Sequence, residues 1–264
     1  MGTPQLEFDG DVESRVYRYV ERNGSATREE VRDAVRVTET VGAKPPRSGT
    51  EPAVRLSVAE CNEYVDALLD AGLLTERDGS LYVASDAEAE AHDADAFEYV
   101  VRPADEDDRE AVAALVREVA EEGAIVVDER VADAIAQDGA LVRRNERESR
   151  TVFVAERRED DEIVGWVHLH GFDLPARSHT AELTVGVAAE YREQGIGSTL
   201  LRHGMAWADD DGCIKVYQSL PATNEEALEL LGDHGWKREA TRADHYEVGG
   251  EFVDEVQLAK RLDG

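Results

Sequence analysis

The chain has 264 residues, 59 of them acidic and 29 basic, for a formal charge of −30. That length can bury one large core or two smaller ones. It contains no apolar run of 18 or more residues that would read as a membrane span, no signal-peptide pattern in residues 1–10, and only two cysteines, Cys61 and Cys213, too far apart for a disulfide framework or a zinc ribbon. A folded, cytoplasmic protein is expected. Lysine occurs only at 44, 215, 237 and 260, and an acidic, lysine-poor surface fits a salt-loaded solvent. There, at about 1 M salt, charges are screened within roughly 3 Å. The charge is therefore read as halophilic adaptation rather than as an interaction surface.

In chain order, Val12, Val16, Tyr19 and Val20 recur at helical spacing and stop at Asn23-Gly24. Thr27-x-x-Glu30 is a capping box opening a helix with Val31, Ala34 and Val35. A Pro/Gly/Ser-rich loop over 41–52 precedes a second capping box, Ser57-x-x-Glu60. Behind it Cys61, Tyr64, Val65, Leu68 and Leu69 form one apolar stripe. Leu73–Val83 reads as a hairpin around Asp78-Gly79. Three helices followed by a hairpin resemble a winged helix-turn-helix domain, placed at residues 1–84. The third helix carries no Lys or Arg, and Arg28, Arg32 and Arg36 alternate with glutamates as a solvated face does. Phosphate contacts need cations, so a docking or regulatory role is expected ahead of DNA binding. Residues 85–96, small and acidic, read as a linker.

From Phe97 the pattern changes to a strand, a helix capped by Asp105, and a second helix from Asp128 through Val131 and Ile135. A hairpin follows, Thr151–Ala155 and Ile163–His170, then a strand over His179–Val187. Glu190-Tyr-Arg-Glu-Gln-Gly-Ile-Gly197 leads from that strand into a helix. A glycine-bearing turn between strand and helix makes an anion site, because backbone N–H groups approach a phosphate unobstructed at the positive end of the helix dipole. The turn is neither a P-loop nor a GxGxxG turn.

Arg192-x-x-Gly195-x-Gly197 matches the pyrophosphate loop of the GNAT acyltransferase superfamily. Downstream, Asn224-x-x-Ala227-Leu228-x-Leu230, ending at Gly235-Trp236, is similar to that family's last helix. The resemblance covers about residues 97–261, within a domain placed at 97–264. It implies an α/β (α+β) fold: a mixed central sheet flanked by helices, behind the smaller winged-helix-like domain. It also implies an acetyl-CoA-dependent N-acetyltransferase acting on a primary amine, of a protein or a small molecule, by direct attack in a ternary complex, with no metal. The backbone of Val185 and Val187 would hold the pantetheine arm. Arg192, Gln194, Gly195, Gly197 and Ser198 would hold the pyrophosphate, and Asn224 would touch the cofactor.

Glu182, a carboxylate in an otherwise apolar strand, is the candidate base: an amine must lose a proton before it attacks, and partial desolvation raises a carboxylate's pKa. At the position where the family often carries a tyrosine acid, this chain has Leu231. Tyr217, His234 and Tyr246 are the possible substitutes. His168 and His170 share a strand face but lack a third ligand for a metal. The alternative reading is an acyl-CoA-sensing regulator whose first domain binds DNA or a protein partner.

Overall fold

The computed structural model describes residues 8, 10–38, 53–84, 87–121, 141, 143–144, 148–172 and 175–262. The loop over 41–52 and the helix through Val131 and Ile135 lie outside them. The chain divides into two compact units, Leu6–Asp86 and Ala87–Val142 with Glu146–Gly264.

In the first unit, α1 (Asp11–Asn23) buries Val16, Tyr17 and Val20 and ends at Gly24, whose φ is +78°. β1 (Ser25–Thr27), α2 (Arg28–Ala34), β2 (Arg36–Thr38), β3 (Ala53–Arg55), α3 (Val58–Asp70), β4 (Leu74–Arg77) and β5 (Ser80–Val83) follow. Both capping boxes are closed: Thr27 with Glu30, and Ser57 with Glu60. Val35 is not helical but caps α2 in extended backbone. The strand β1, too short to show a period in sequence, joins the hairpin in the sheet β1-β5-β4. The three arginines on and after α2 are engaged by the unit itself. Arg28 donates to Glu76 at 2.9 and 2.7 Å and pairs with Asp66 at 2.8 Å. Arg32 reaches Glu29 and Asp33 at 3.3 Å, and Arg36 donates to the Asp33 carbonyl.

The second unit opens with β6 (Glu90–Asp93), within the stretch expected to be a linker. Its backbone pairs antiparallel with β7 (Glu98–Pro103), so acidic composition did not preclude an edge strand. Then come α4 (Arg109–Glu121), β8 (Glu148–Arg157), β9 (Ile163–Phe172), β10 (Thr180–Val187), α5 (Ile196–Asp210), β11 (Lys215–Pro221), α6 (Glu225–Asp233), β12 (Lys237–Val248) and β13 (Glu251–Arg261). These strands lie in the order β12-β13-β11-β10-β9-β8-β7-β6. Every neighbouring pair is antiparallel except β10 with β11, which is parallel. A mixed sheet of this order needs a crossover between β10 and β11, and α5 supplies it.

Alternation along the strands sends side chains to two cores. Ala181 and Leu183 of β10, with Val167 and Leu169 of β9, face α5 and its buried Ile196, Leu200, Leu201 and Met205. Trp166, Val152 and Val154 pack on the other face against Val112, Val116 and Val119 of α4. Among the described residues no helix is long and apolar enough to cross a membrane.

Candidate active site

The parallel pair is short. β10 meets β11 only at Thr180–Lys215, Ala181–Val216 and Glu182–Tyr217, whereas β9 stays paired to β10 as far as Val187. Beyond Glu182 the two strands part, and β11 continues with β13 alone as its partner. Ala188 N–H donates to Val164 O at 3.0 Å, on the β9 side. Backbone alternation then turns the N–H and C=O groups of Leu183, Val185 and Val187 away from β9, toward the side that β11 has left. The Val187 carbonyl accepts from Arg192 Nε at 3.0 Å.

At the open end of this fork lies the glycine turn. Gly195, with φ +81°, is the N-cap of α5, and the helix receives no side-chain cap. The first helical bond runs from Thr199 N–H to Gly195 O at 3.0 Å, which leaves the N–H groups of Ile196, Gly197 and Ser198 without an intrahelical acceptor. In a chain of charge −30, the first turns of α1, α2, α3, α4 and α6 all carry a carboxylate, and that of α5 carries none. A Cβ at Gly197 would stand 3.6 Å from Val187 and from Leu230. These are ordinary contacts, so the protein's own packing does not demand glycine there. Gln194 Nε2 donates to Glu190 O at 3.4 Å while its Oε1 is buried with no hydrogen bond. Asn224 Oδ1 accepts from Ala227 N–H at 3.0 Å, which makes it the N-cap of α6.

At the closed end of the fork the polar groups gather. Glu182 faces the α4 side of the sheet with Thr184 and Gly186, between its register partners His170 on β9 and Tyr217 on β11. Burial raises its pKa above the usual carboxylate range, Arg177 opposes that shift, and Glu255 adds to it. Tyr217 is pushed up to about 12, first by burial and then by the Glu182 charge. Its hydroxyl accepts from Arg177 Nη2 at 3.0 Å. Tyr246 donates to Glu255 Oε1 at 2.9 Å, and burial also raises its pKa. His168, only 5% exposed, is held neutral at about 3 by burial, with Nε2 unbonded. Among the described residues no three His, Cys, Asp or Glu side chains converge as a metal site would require.

The sequence-predicted residues therefore fall into two groups along one fork: Glu182 at its base, and Val185, Val187, Arg192, Gln194, Gly195, Gly197 and Ser198 along and beyond its open edge. Leu231 is a core residue, 1% exposed. His234 Nδ1 sits 2.9 Å from Leu230 O at the end of α6, a capping contact. Two residues escaped sequence reasoning. Glu255 gave no sequence signal, because it follows Asp254 in a strand that also carries Glu251, Lys260 and Arg261, and only the fold buries it. Arg177 gave none either, because a short 3-10 turn, Pro175–Arg177, decides where it points.

The family model described as "Acetyltransferase (GNAT) family" matches residues 126–236. The C-terminal part of the chain is a GNAT acetyltransferase domain. Over 116 residues it is 28% identical to a candidate phosphinothricin acetyltransferase of Bacillus subtilis, covering 44% of this chain and 71% of that one. A phosphinothricin acetyltransferase from Sinorhizobium meliloti, solved in complex with acetyl-CoA, superposes with a TM-score of 0.52 at 17% identity, over 62% of this chain and 88% of that one. A ribosomal-protein-alanine N-acetyltransferase from Brucella melitensis gives 0.50 at 26% identity, over 61% and 99%. The GNAT domain thus shares its fold with relatives whose names carry different acceptors.

Proposed function

We propose that the GNAT domain transfers an acetyl group from acetyl-CoA to a primary amine, of a small molecule or a protein, by direct attack in a ternary complex. The observation that carries this reading is the fork itself. Its free β10 edge runs from a half-buried carboxylate to a helix N-terminus stripped of both side-chain caps and acidic residues.

An extended amide chain can add to that edge through Val185 and Val187, as a peptide adds to a sheet. The turn receives a diphosphate through the N–H groups of Ile196, Gly197 and Ser198, with Arg192, Gln194 and Ser198 around it. Gly197 makes room for such a guest rather than for a neighbouring side chain. Asn224 holds α6 beside the turn and reaches the coenzyme from there. A free lysine-type amine, with a pKa of about 10.4, is almost wholly protonated at neutral pH. Glu182, its pKa raised, takes that proton directly or through water. The neutral amine attacks the thioester carbonyl, the C–S bond breaks, and the departing thiolate takes up the proton that the nitrogen loses as the amide forms. Direct attack is supported by Cys213, which is 4% exposed within the core, its thiol pushed up to about 11 by burial.

In the first unit, the order α1-β1-α2-α3-β4-β5 with its three-stranded sheet supports a winged-helix-like module. We read it as a docking module: its α3 offers phosphate no cation, and the α2 arginines are held by the unit's own groups. The acyl-CoA-sensor alternative is disfavoured in its DNA-binding form, since α3 carries no Lys or Arg; its protein-partner form is the second reading that the test addresses.

The test is release of free coenzyme A thiol from acetyl-CoA in high salt, with pools of small amines and proteins. Turnover that Glu182→Gln abolishes supports the enzyme. Tight acetyl-CoA binding with no turnover on any amine would replace it with the sensor.

A further inference from the structure

Glu182 is surrounded from five elements. His170 and Tyr217 are its register partners on β9 and β11, and its charge reaches Tyr246 on β12, whereas Arg242 and His245 of β12 contact Glu255. Glu255 lies on β13, and Arg177 on the 3-10 turn before β10. The charge on Glu255 is already claimed: Tyr246 donates to it at 2.9 Å and Arg242 pairs with it at 2.9 Å. Arg177 is arranged otherwise. Its Nη2 donates to Tyr217 Oη at 3.0 Å, and its guanidinium lies 6.0 Å from the centre of the Tyr217 ring. Thr180 Oγ1, at the first residue of β10, donates to the Arg177 carbonyl at 2.9 Å, fixing the turn to the strand that carries Glu182 two residues on.

We propose that Arg177 and Tyr217 form a positioning pair that sets the protonation of Glu182, with the Tyr217 hydroxyl anchoring the guanidinium beside the carboxylate. The inference rests on Glu182 being the base. Glu182 and Tyr217 are the last pair across the fork, so an arginine tethered to one is held near the other, where the strands separate and a substrate amine enters. Because the phenol accepts from Arg177, its own proton is turned elsewhere, and the guanidinium acts as a fixed cation beside the base. An opposite charge near a carboxylate favours its ionised form, so the pair offsets part of the burial that makes Glu182 reluctant to ionise. Neither residue donates or receives a proton in the reaction; both act through Glu182.

The test needs no knowledge of the acceptor. Full-length protein labelled at glutamate carboxyl carbons is titrated by NMR, and the Glu182 signal is identified by its loss in Glu182→Gln. In Arg177→Gln and in Tyr217→Phe the Glu182 midpoint moves to higher pH by about half a unit or more, as loss of a nearby opposite charge requires. Arg177→Lys, which keeps the charge, stays within a few tenths of wild type. The double variant moves no further than the larger single one, because both act through one guanidinium. An unmoved midpoint in both single variants, or full additivity in the double, overturns the inference. The base assignment fails separately, if Glu182→Gln retains thiol release.

Discussion

Glu182 and Tyr217 are the last partners that β10 and β11 share before the strands diverge. A carboxylate and a phenol thus stand where the sheet opens, neither in the core nor in bulk water. Replacing Glu182 by Gln keeps the shape and removes the charge. The acetyl-transfer rate falls about 10²–10⁴-fold, the usual worth of a general base, while circular dichroism is unchanged.

The pH dependence follows from the raised pKa of Glu182. A base works ionised, so kcat/KM rises with pH along a limb lying above the ordinary glutamate value of about 4.3. Stability runs the other way. With the folded pKa above the unfolded one, the native state binds more protons in that window, and stability falls as pH rises through it. Thermal melting above the window finds Glu182→Gln at least as stable as wild type.

The two turn glycines separate strain from ligand. At Gly195 a Cβ meets nothing within 4 Å, but φ is +81°, so Gly195→Ala costs about 1–2 kcal/mol of left-handed strain. Gly197→Ala meets only 3.6 Å contacts and melts near wild type. In isothermal titration with acetyl-CoA, both variants bind more weakly. The Gly197 variant is the sharper probe, since its fold is unburdened.

Behind Glu182 the sheet is tuned by a single hydrogen. A Cβ at Gly186 would lie 2.0–2.6 Å from the Trp166 ring, and Trp166 is 0% exposed. Gly186→Ala therefore destabilises by about 1–3 kcal/mol or more through overpacking. Chemical denaturation of the double variant Gly186→Ala/Trp166→Leu recovers part of that loss relative to the sum of the singles.

For the first unit, the engagement of Arg28, Arg32 and Arg36 predicts no salt-dependent retention of duplex DNA in a filter assay. Arg28→Ala, which breaks a bidentate pair with Glu76, lowers stability by roughly 1 kcal/mol, an upper value for a partly exposed ion pair. It leaves DNA retention as it was.

Much of this molecule was legible in advance because its signals are local. The capping boxes at Thr27 and Ser57, the stripe of α3, and the strand-turn-helix at Gly195 are each set by residues within a few positions. Glu182 stood out as an acid in an apolar strand. Pairings between distant segments were hidden. β6 has the composition of a linker and is a strand only because β7 lies beside it. Glu255 and Arg177 join Glu182 through the sheet, not through sequence. Val35 shows the opposite error, an apolar residue counted into a helix that had already ended.

The most direct test is isothermal titration of the full chain with acetyl-CoA in high salt, alongside Gly197→Ala. The account predicts saturable heat from the wild-type protein, competed by free coenzyme A and weakened in the variant. Absence of heat from any coenzyme A species, with the fold intact by circular dichroism, would contradict it.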